Sequence, residues 1–404
     1  MQMTLILRNS MLVLPGGLEH GGVVVKDGLI VAVFPNSETP AGFGKEELID
    51  LDGGYLAPGL IDIHIHGSAG VDVQATDEAG LAKLSEYLLS EGVTGYFATF
   101  VPTDERGYND AIATIRSYVS LQGAPENSRR GARIHGIHFE GPFVSEARCG
   151  ALQRKHFRTY DGDPRAIEIF KRKSQSDPGL SRLMTLAPEI HGGLELTREL
   201  TRSGVRVFIG HSQADPEVLH QAARAGALHI THFPNALDQL HHRKPGAVAW
   251  GLITGDVTLD CIADLHHVHP LMIRLMYQSK SPEGMALISD AIMPAGLGDG
   301  EFTVWDEKIS VRNGRTSLGR EAGKDTIAGS VISMRDALKN IIGLGIPIQE
   351  AVGMASWLPA RIAGIASECG SIETGRSADL IAFDDDIKLR LVIVQGSLLD
   401  RRSG

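Results

Sequence analysis

The sequence is poor in cysteine and in long apolar runs. Three cysteines, Cys149, Cys261 and Cys369, are scattered over 404 residues, which excludes a disulfide framework or a thiolate metal site. No apolar run reaches the roughly 18 residues that a membrane-spanning helix needs. The first residues do not have the pattern of a secretion signal. We therefore expect a cytoplasmic protein without a membrane partner.

Positive charge is in deficit as well. Lys and Arg number 39 against 49 Asp and Glu, which gives a formal net charge of −10. This balance argues against nucleic acid or an anionic membrane as the main partner. Hydrophobic residues at 43% and charged residues at 22% exclude a disordered chain. Histidine is abundant, with 16 residues, and the positions of these histidines carry most of the information.

The middle of the chain alternates eight apolar, strand-like runs with amphipathic helical stretches. Such alternation predicts an α/β fold with a parallel sheet covered on both faces, and eight repeats favour a (β/α)₈ TIM-like barrel. The runs are 60–65, 95–100, 134–139, 183–187, 205–209, 227–230, 258–263 and 286–289. Short β-rich runs with turn residues occur at both chain ends. They predict a small β-sandwich domain from residues 1–57 plus 372–404, which leaves 58–371 for the barrel.

Ionisable residues follow most of the predicted strands. His64 and His66 close the first run, Glu140 the third, His211 the fifth and His232 the sixth. The C-terminal ends of barrel strands meet at one face, and side chains two apart on a strand point the same way. One carboxylate with two or more imidazoles suits zinc, with iron, manganese or cobalt as alternatives. We expect Glu140, His211 and His232 to form the main site, with His64 and His66 holding a second ion or assisting the first.

Asp290 ends the eighth run. A carboxylate at this position can take a proton from a metal-activated water and return it to a leaving group. Position alone is equally consistent with an N-cap for the following segment, a role that Asp often fills. With the metal ligands predicted beside it, we expect Asp290 to be the catalytic general base.

Nine short motifs resemble those of the N-acetylglucosamine-6-phosphate deacetylases, a branch of the amidohydrolase superfamily. They lie in the same order over nearly the whole chain, at 57–67, 138–142, 185–189, 210–212, 231–236, 243–246, 262–264, 289–291 and 328–330. The His-x-His pair marks only the superfamily. The combination of Glu-Gly-Pro, Thr-His-x-x-Asn-Ala and Arg-x-Pro-Gly is much more specific to the deacetylase branch.

The resemblance implies a metal-dependent homodimer that removes the acetyl group of N-acetylglucosamine 6-phosphate in amino sugar catabolism. It implies one or two divalent ions, and it gives Asp290 the proton-transferring role. His267 would polarise the amide carbonyl, and the guanidinium of Arg243 suits a phosphate, although most such arginines are merely exposed. The residues implied in substrate binding are Ala151, Asn235, Ala236, Arg243, His267, Ile327, Ala328 and Gly329.

Leu152 departs from the family pattern. The family usually has Lys-Gly-Ala-His after the Glu-Gly-Pro motif, and that histidine meets the substrate. Here residues 148–153 read Arg-Cys-Gly-Ala-Leu-Gln, which leaves the exact substrate open. Another N-acyl amino sugar, phosphorylated or not, is one alternative. A different amide substrate that does not depend on Arg243 is a second, and a relative that kept the barrel without catalysis is a third.

Overall fold

The N-terminal strands form part of a sheet outside the barrel. The computed structural model describes residues 4–35, 47–122, 131–171, 180–321 and 324–401. Its first strands are β1 (Thr4–Leu14), β2 (Gly17–Lys26), β3 (Leu29–Pro35), β4 (Glu47–Asp50) and β5 (Tyr55–Pro58). Strands β1 to β3 are antiparallel, whereas β4 and β5 pair parallel with β1. Leu5, Val23, Ile30 and Leu56 pack into a core of their own.

Eight parallel strands form the nearly closed barrel that the sequence predicts. Strand β6 is followed by a two-stranded hairpin, β7 and β8, and then by seven strands that pair in chain order. These strands are β6 (Leu60–Ile65), β7 (Gly67–Ser68), β8 (Val71–Asp72), β9 (Val93–Phe100), β10 (Arg133–Glu140), β11 (Ser181–Leu186), β12 (Arg206–Ile209), β13 (His229–Ile230), β14 (Thr258–Ile262) and β15 (Met285–Ile288).

The first and last barrel strands, β6 and β15, meet at the C-terminal edge of the barrel. The backbone amide of Asp290 donates to the carbonyl of His64 at 2.9 Å, and that of His66 donates to Ala291 at 2.8 Å. Every residue of β6 and of β9 is buried, as expected for strands covered on both faces. The predicted (β/α)₈ fold is therefore confirmed, and its closure brings the first and last strands side by side.

In the described residues, six α-helices separate the barrel strands and three more follow the barrel. They are α1 (Glu78–Ser90), α2 (Glu105–Gln122), α3 (Gly193–Arg202), α4 (Pro216–Arg224), α5 (Gly246–Ile253), α6 (Pro270–Lys280), α7 (Met334–Gly343), α8 (Ile348–Ala355) and α9 (Trp357–Ala363). The α4 helix begins after Asp215, whose carboxylate accepts from the amide of Val218, an N-cap that satisfies an otherwise unpaired donor. Among the helices that the structure describes, none is long and apolar enough to cross a membrane.

A four-stranded antiparallel sheet is inserted after the last barrel strand, where the sequence analysis predicts nothing. Its strands are β16 (Gly300–Val304), β17 (Glu307–Arg312), β18 (Arg315–Glu321) and β19 (Lys324–Thr326). Val304, Ile309 and Leu318 pack with Ile292 and Ala328 in a separate apolar cluster. This packing holds the insertion against the segment that follows Asp290.

The C-terminal strands complete the sheet that the N-terminal strands begin. They are β20 (Leu380–Phe383), β21 (Leu389–Val394) and β22 (Ser397–Arg401). Strand β20 pairs antiparallel with β5, so that eight strands from both chain ends share one sheet. A separate β-rich domain is therefore present, as predicted. The proposed domain bounds, 1–57 plus 372–404 and 58–371, stay a prediction.

Candidate metal centre

Six ionisable side chains converge at the C-terminal edge of the barrel. They form two groups, and within each group the potential ligand atoms lie within 4.8 Å of one another. All six side chains belong to buried residues. The first group is His64, His66 and Asp290, and the second is Glu140, His211 and His232. The strand ends thus bring together the residues that the sequence analysis selected for metal binding and proton transfer.

The second group is centred on one carboxylate oxygen. Glu140 Oε1 lies 2.9 Å from His211 Nε2 and 2.9 Å from His232 Nε2. The two imidazole nitrogens are 3.1 Å apart. Three potential ligand atoms therefore point at a common centre.

The first group is slightly wider and touches the second. His64 Nε2 and His66 Nε2 are 3.2 Å apart, and each lies 3.3 Å from Asp290 Oδ1. Glu140 Oε2 is also 3.3 Å from His66 Nε2. Oε1 of Glu140 also lies 3.7 Å from His64 Nε2. Glu140 therefore contacts both groups and joins them into a single cluster.

Unusual backbone conformations turn three of these side chains inward. His211, His232 and Asp290 have φ angles of +48°, +35° and +48°. Few residues other than glycine adopt this left-handed region, and at functional sites the strain is tolerated because surrounding structure holds it. In each case the turn comes directly after a barrel strand, so the strand ends and the side chain swings toward the barrel axis.

The hydrogen bonds on the far side of two rings settle which nitrogen faces the cluster as an acceptor. His66 Nδ1 lies 3.2 Å from the carbonyl of Thr99, and His211 Nδ1 lies 2.8 Å from the carbonyl of Arg148. A carbonyl only accepts, so each Nδ1 carries a hydrogen, and each Nε2 offers a lone pair to a metal ion once its own proton is absent. The Nε2 atoms face carboxylate oxygens. Such a donor set fits a divalent metal ion.

The pKa values of the cluster also show that its carboxylates stabilise positive charge on the neighbouring groups. Burial lowers the pKa of His66, but hydrogen bonds to Asp290 and Glu140 outweigh burial and raise that pKa to about 10. The pKa of His232 rises to about 9, because the bond to Glu140 outweighs burial in the same way. Burial raises the pKa of Glu140, yet its bonds to His211 and His232 hold that pKa well below the usual value. A divalent ion would displace these protons.

Two further buried carboxylates support the cluster from inside the barrel. Asp260 Oδ2 lies 2.8 Å from His229 Nε2, and Asp260 also accepts from the backbone amide of His232. Asp62 accepts from the hydroxyl of Ser289 and, at 3.2 Å, from the backbone amide of His64. Partners behind the ligands fix ligand orientation in metal sites. Neither residue was predicted from the sequence. Asp62 had a recognisable signal, because it is a charged residue within an apolar strand, two positions before His64.

The residues expected to bind substrate lie on the loops around the cluster. Asn235 donates from its side chain to the carbonyl of His232 at 3.0 Å. His267 follows β14, and its Nδ1 lies 2.7 Å from Asp264 Oδ2, which orients the ring. The segment 327–329 runs beside Asp290, because the amide of Ser330 donates to the Asp290 carbonyl at 2.7 Å.

Two of these segments have tight backbone requirements. Gly329 has a φ of +55°, and a Cβ atom there would meet Ile292 at 2.6 Å, so the position needs glycine. Ala328 is buried beside it, while Ile327 is partly exposed. Ala236 has a φ of +53°, and its carbonyl accepts from the amide of Ser212 at 3.2 Å. The loops after β13 and after the inserted sheet are thus held close to residues of the cluster.

Two predicted binding residues, Arg243 and Ala151, have contacts in a loop turn and with the inserted sheet. Arg243 is exposed, and its guanidinium lies 2.7 Å from His242 Nε2 within the same turn. Ala151 packs instead against the apolar cluster of the inserted sheet. Leu152, where the family usually has histidine, is buried. The phosphate role of Arg243 therefore stays a prediction.

Trp305 is a site residue for which the sequence analysis has no expectation. It lies at the tip of the β16–β17 hairpin, and its ring meets the His66 ring edge-on, with centroids 5.1 Å apart. The indole nitrogen donates to Asp72 Oδ2 at 2.9 Å. The inserted sheet thus contributes a wall of the site.

A TIM-like barrel whose strand ends hold joined histidine and carboxylate ligands defines a metal-dependent hydrolase of the amidohydrolase type. The model of the amidohydrolase family matches residues 302–399. The N-acetylglucosamine-6-phosphate deacetylase of Bacillus subtilis is 33% identical over 94% of this chain and 93% of its own. The N-acetylgalactosamine-6-phosphate deacetylase of Escherichia coli O157:H7 is 33% identical over 98% and 99%.

Solved structures agree with these relatives. The Mycobacterium smegmatis N-acetyl-D-glucosamine-6-phosphate deacetylase, a mutant in complex with N-acetyl-D-glucosamine 6-phosphate, superposes with a TM-score of 0.85. It is 27% identical, and the match covers 98% of this chain and 99% of that one. The chain belongs to the N-acetylglucosamine-6-phosphate deacetylase family of amidohydrolases.

Proposed function

We propose that this protein hydrolyses the N-acetyl group of N-acetylglucosamine 6-phosphate to glucosamine 6-phosphate and acetate, a reaction of amino sugar catabolism. The observation that carries the proposal is the joined cluster, in which Glu140 contacts histidines of both groups. A cluster of this kind at the catalytic face of a barrel suits metal-assisted hydrolysis. The substrate is supported by the name of the Bacillus subtilis relative and by the ligand of the Mycobacterium smegmatis structure.

The cofactor that we propose is zinc, as one or two ions, with iron, manganese or cobalt as alternatives. Imidazole and carboxylate ligands suit all of these metals. When bound, such an ion polarises the amide carbonyl and lowers the pKa of water. Glu140, His211 and His232 would hold the main ion, and His64 and His66 the second.

Asp290 is the proposed proton carrier. Its Oδ1 faces His64 and His66 at 3.3 Å, and the residue is only 7% exposed, so bulk water competes little for its proton. The carboxylate accepts a proton from the attacking water and later delivers it to the nitrogen of the departing amine. Water thereby adds its oxygen to the acyl carbon as the carbon–nitrogen bond breaks.

The remaining residues bind and orient the substrate in this proposal. His267, held by Asp264, donates from the other ring nitrogen to the amide oxygen when the ring is protonated. Arg243 supplies a fixed positive charge for the phosphate. Ala151, Asn235, Ala236 and the segment 327–329 surround the substrate.

A second candidate substrate is N-acetylgalactosamine 6-phosphate. The Escherichia coli relative that is named for this substrate matches 98% of the chain at the same 33% identity. Leu152 also replaces the histidine that usually meets the substrate in this family. The two substrates differ only at one sugar hydroxyl, so the same cluster serves both.

Acetate release by purified, zinc-supplemented protein tests the proposal. The two N-acetylhexosamine 6-phosphates are compared with unphosphorylated N-acetylglucosamine, with and without a chelator. We expect release that requires metal and that strongly favours a phosphorylated sugar. Protein with bound metal that releases acetate from neither phosphate would contradict the proposal and would direct the search to other amides.

We also propose a cytoplasmic homodimer. The scarcity of cysteine supports a reducing compartment, and the resemblance to the family supports the dimer. Light scattering on the purified protein gives the mass of the particle in solution, and we expect about twice the 43.4 kDa of one chain.

A further inference from the structure

A cavity of about 520 Å³ lies beside the metal-ligand cluster. Small-molecule sites usually measure about 300–1,000 Å³, so this cavity is large enough for a ligand group. Loops that follow β8, β9 and β10 form three of its sides, and the tip of the β16–β17 hairpin forms the fourth. The apolar part of its lining includes Val101, Ala151, Leu152, Met293, Val304 and Trp305. Polar side chains, among them Asp72, Gln74, Gln153, Lys155 and His156, line the rest.

Trp305 forms the wall that the cavity shares with the cluster. One part of the residue lines the cavity, while its ring packs edge-on against His66. The ring is held by the bond from its indole nitrogen to Asp72, and the side-chain amide of Gln153 donates to the Trp305 carbonyl. The φ of +52° is rare for so large a residue. The hairpin tip therefore places this ring at the boundary between cavity and metal ligands.

The cavity and the proposed phosphate site lie on opposite sides of the barrel. Asn235, Ala236 and Arg243 follow β13, the sixth barrel strand, whereas the cavity lies above β6, β9 and β10, the first three. In a ring of eight strands the second and sixth are diametrically placed. A substrate whose phosphate lies above β13 and whose amide lies at the cluster directs its acyl group toward the cavity.

We propose that this cavity is an acyl-binding subsite, and that the enzyme also removes N-acyl groups longer than acetyl from amino sugar 6-phosphates. The inference rests on the proposed function, because that function places the amide at the cluster. The apolar part of the lining suits short alkyl chains such as those of propionyl and butyryl groups. Leu152 adds apolar surface where the family usually has a polar histidine. The reaction is unchanged: water gives its oxygen to the acyl carbon, the carbon–nitrogen bond breaks, and the amine nitrogen takes a proton.

Kinetics on a series of N-acyl groups test the inference. The N-acetyl, N-propionyl and N-butyryl forms of glucosamine 6-phosphate all release the same amine, which is measured with the metal-loaded protein. We expect kcat/KM for butyryl to lie within about tenfold of the value for acetyl. A pocket closed around acetyl would lose about 10–200-fold for one extra methylene.

The outcomes separate the inference from the function on which it rests. Activity on acetyl with a loss of more than 100-fold on butyryl would overturn the acyl subsite and leave the proposed function standing. Activity on none of the three compounds would overturn both.

A variant that narrows the cavity gives an independent test. Val101 lines the cavity and is partly exposed, so Val101→Phe adds volume there. We expect the ratio of butyryl to acetyl kcat/KM to fall at least tenfold. Ala75→Trp, at an exposed lining residue, is expected to act in the same direction. Val31→Phe adds the same volume as Val101→Phe in strand β3 of the terminal sheet and should leave the ratio unchanged. An unchanged ratio in both cavity variants would overturn the proposal.

Discussion

The two ligand groups of the cluster differ in how closely their atoms approach. In the second group, Glu140 lies 2.9 Å from each histidine nitrogen, whereas in the first group Asp290 lies 3.3 Å from each. In the proposed reaction, the Glu140 carboxylate of the second group serves only in metal binding. The carboxylate of the first group must also carry a proton in the proposed reaction. The difference agrees with our proposal that the second group holds the main ion and that the first group combines metal binding with proton transfer.

Removing the carboxylate that joins the groups should have the largest effect. Glu140→Ala removes the carboxylate that both groups contact, so two facing sets of imidazoles remain without their shared counter-charge. We expect acetate release to fall to the level of a protein-free control, and the metal content to fall in both groups. Metal analysis and acetate release on the same preparation check this. A variant that keeps its metal and its turnover would contradict the joining role of Glu140.

Asp290→Asn should reduce turnover while the second group keeps its ion. The amide retains the shape of the carboxylate but cannot shuttle the proton, and general acid–base catalysis contributes about 10²–10⁴-fold. We expect kcat to fall by that factor. Metal content of at least one ion per chain is the control. Loss of all metal would instead show that Asp290 is needed mainly as a ligand.

Arg243→Ala should affect neither group and should weaken substrate binding. A hydrogen bond to a charged partner contributes about 1.5–3 kcal/mol, so KM for the phosphorylated substrate should rise roughly 10–150-fold with kcat little changed. Kinetics on the unphosphorylated sugar provide the comparison, since they should not respond. Arg312→Ala, at another exposed arginine, is the matched control. Unchanged KM would favour the alternative of a substrate without phosphate.

Arg148→Ala should have the smallest effect. The Arg148 side chain pairs with Asp238 across two loops, and both side chains are more than one-third exposed. Such a pair contributes about 0–1 kcal/mol to the free energy of unfolding. The backbone carbonyl that holds His211 is retained in the variant, so metal content should not change. Denaturant unfolding and metal analysis check both statements, and loss of the ion would show that the side chain supports the second group.

The sequence predicted the fold and the composition of the cluster well, for one physical reason. Parallel strands in a barrel end at the same face, so polar residues after apolar runs must converge. His211, which follows the fifth strand, and Asp290, which follows the eighth, were therefore predictable without knowing any distance. The short strand β13 (His229–Ile230) was also located, although the predicted run was longer.

Features set by tertiary packing were not predicted. The supporting carboxylates Asp62 and Asp260 were hidden within apolar runs, since their hydrogen bonds exist only once the barrel closes. The inserted sheet had one clear signal, because Asn313 and Gly314 have φ angles of +51° and +74°, as in the Asn-Gly turns of hairpins. The β16–β17 hairpin tip places Trp305 against His66. This contact depends on tertiary packing and cannot be read from the local sequence.

Two matched variants compare the groups most directly. His211→Asn removes a ligand of the second group, and His66→Asn removes one of the first. Metal content and acetate release are measured for both beside the native protein. We predict that His211→Asn loses the main ion and its turnover, whereas His66→Asn keeps one ion and measurable turnover. Equal losses of metal and turnover in the two variants would contradict the proposal that the second group holds the main ion. Retention of the main ion by His211→Asn alone would contradict it as well.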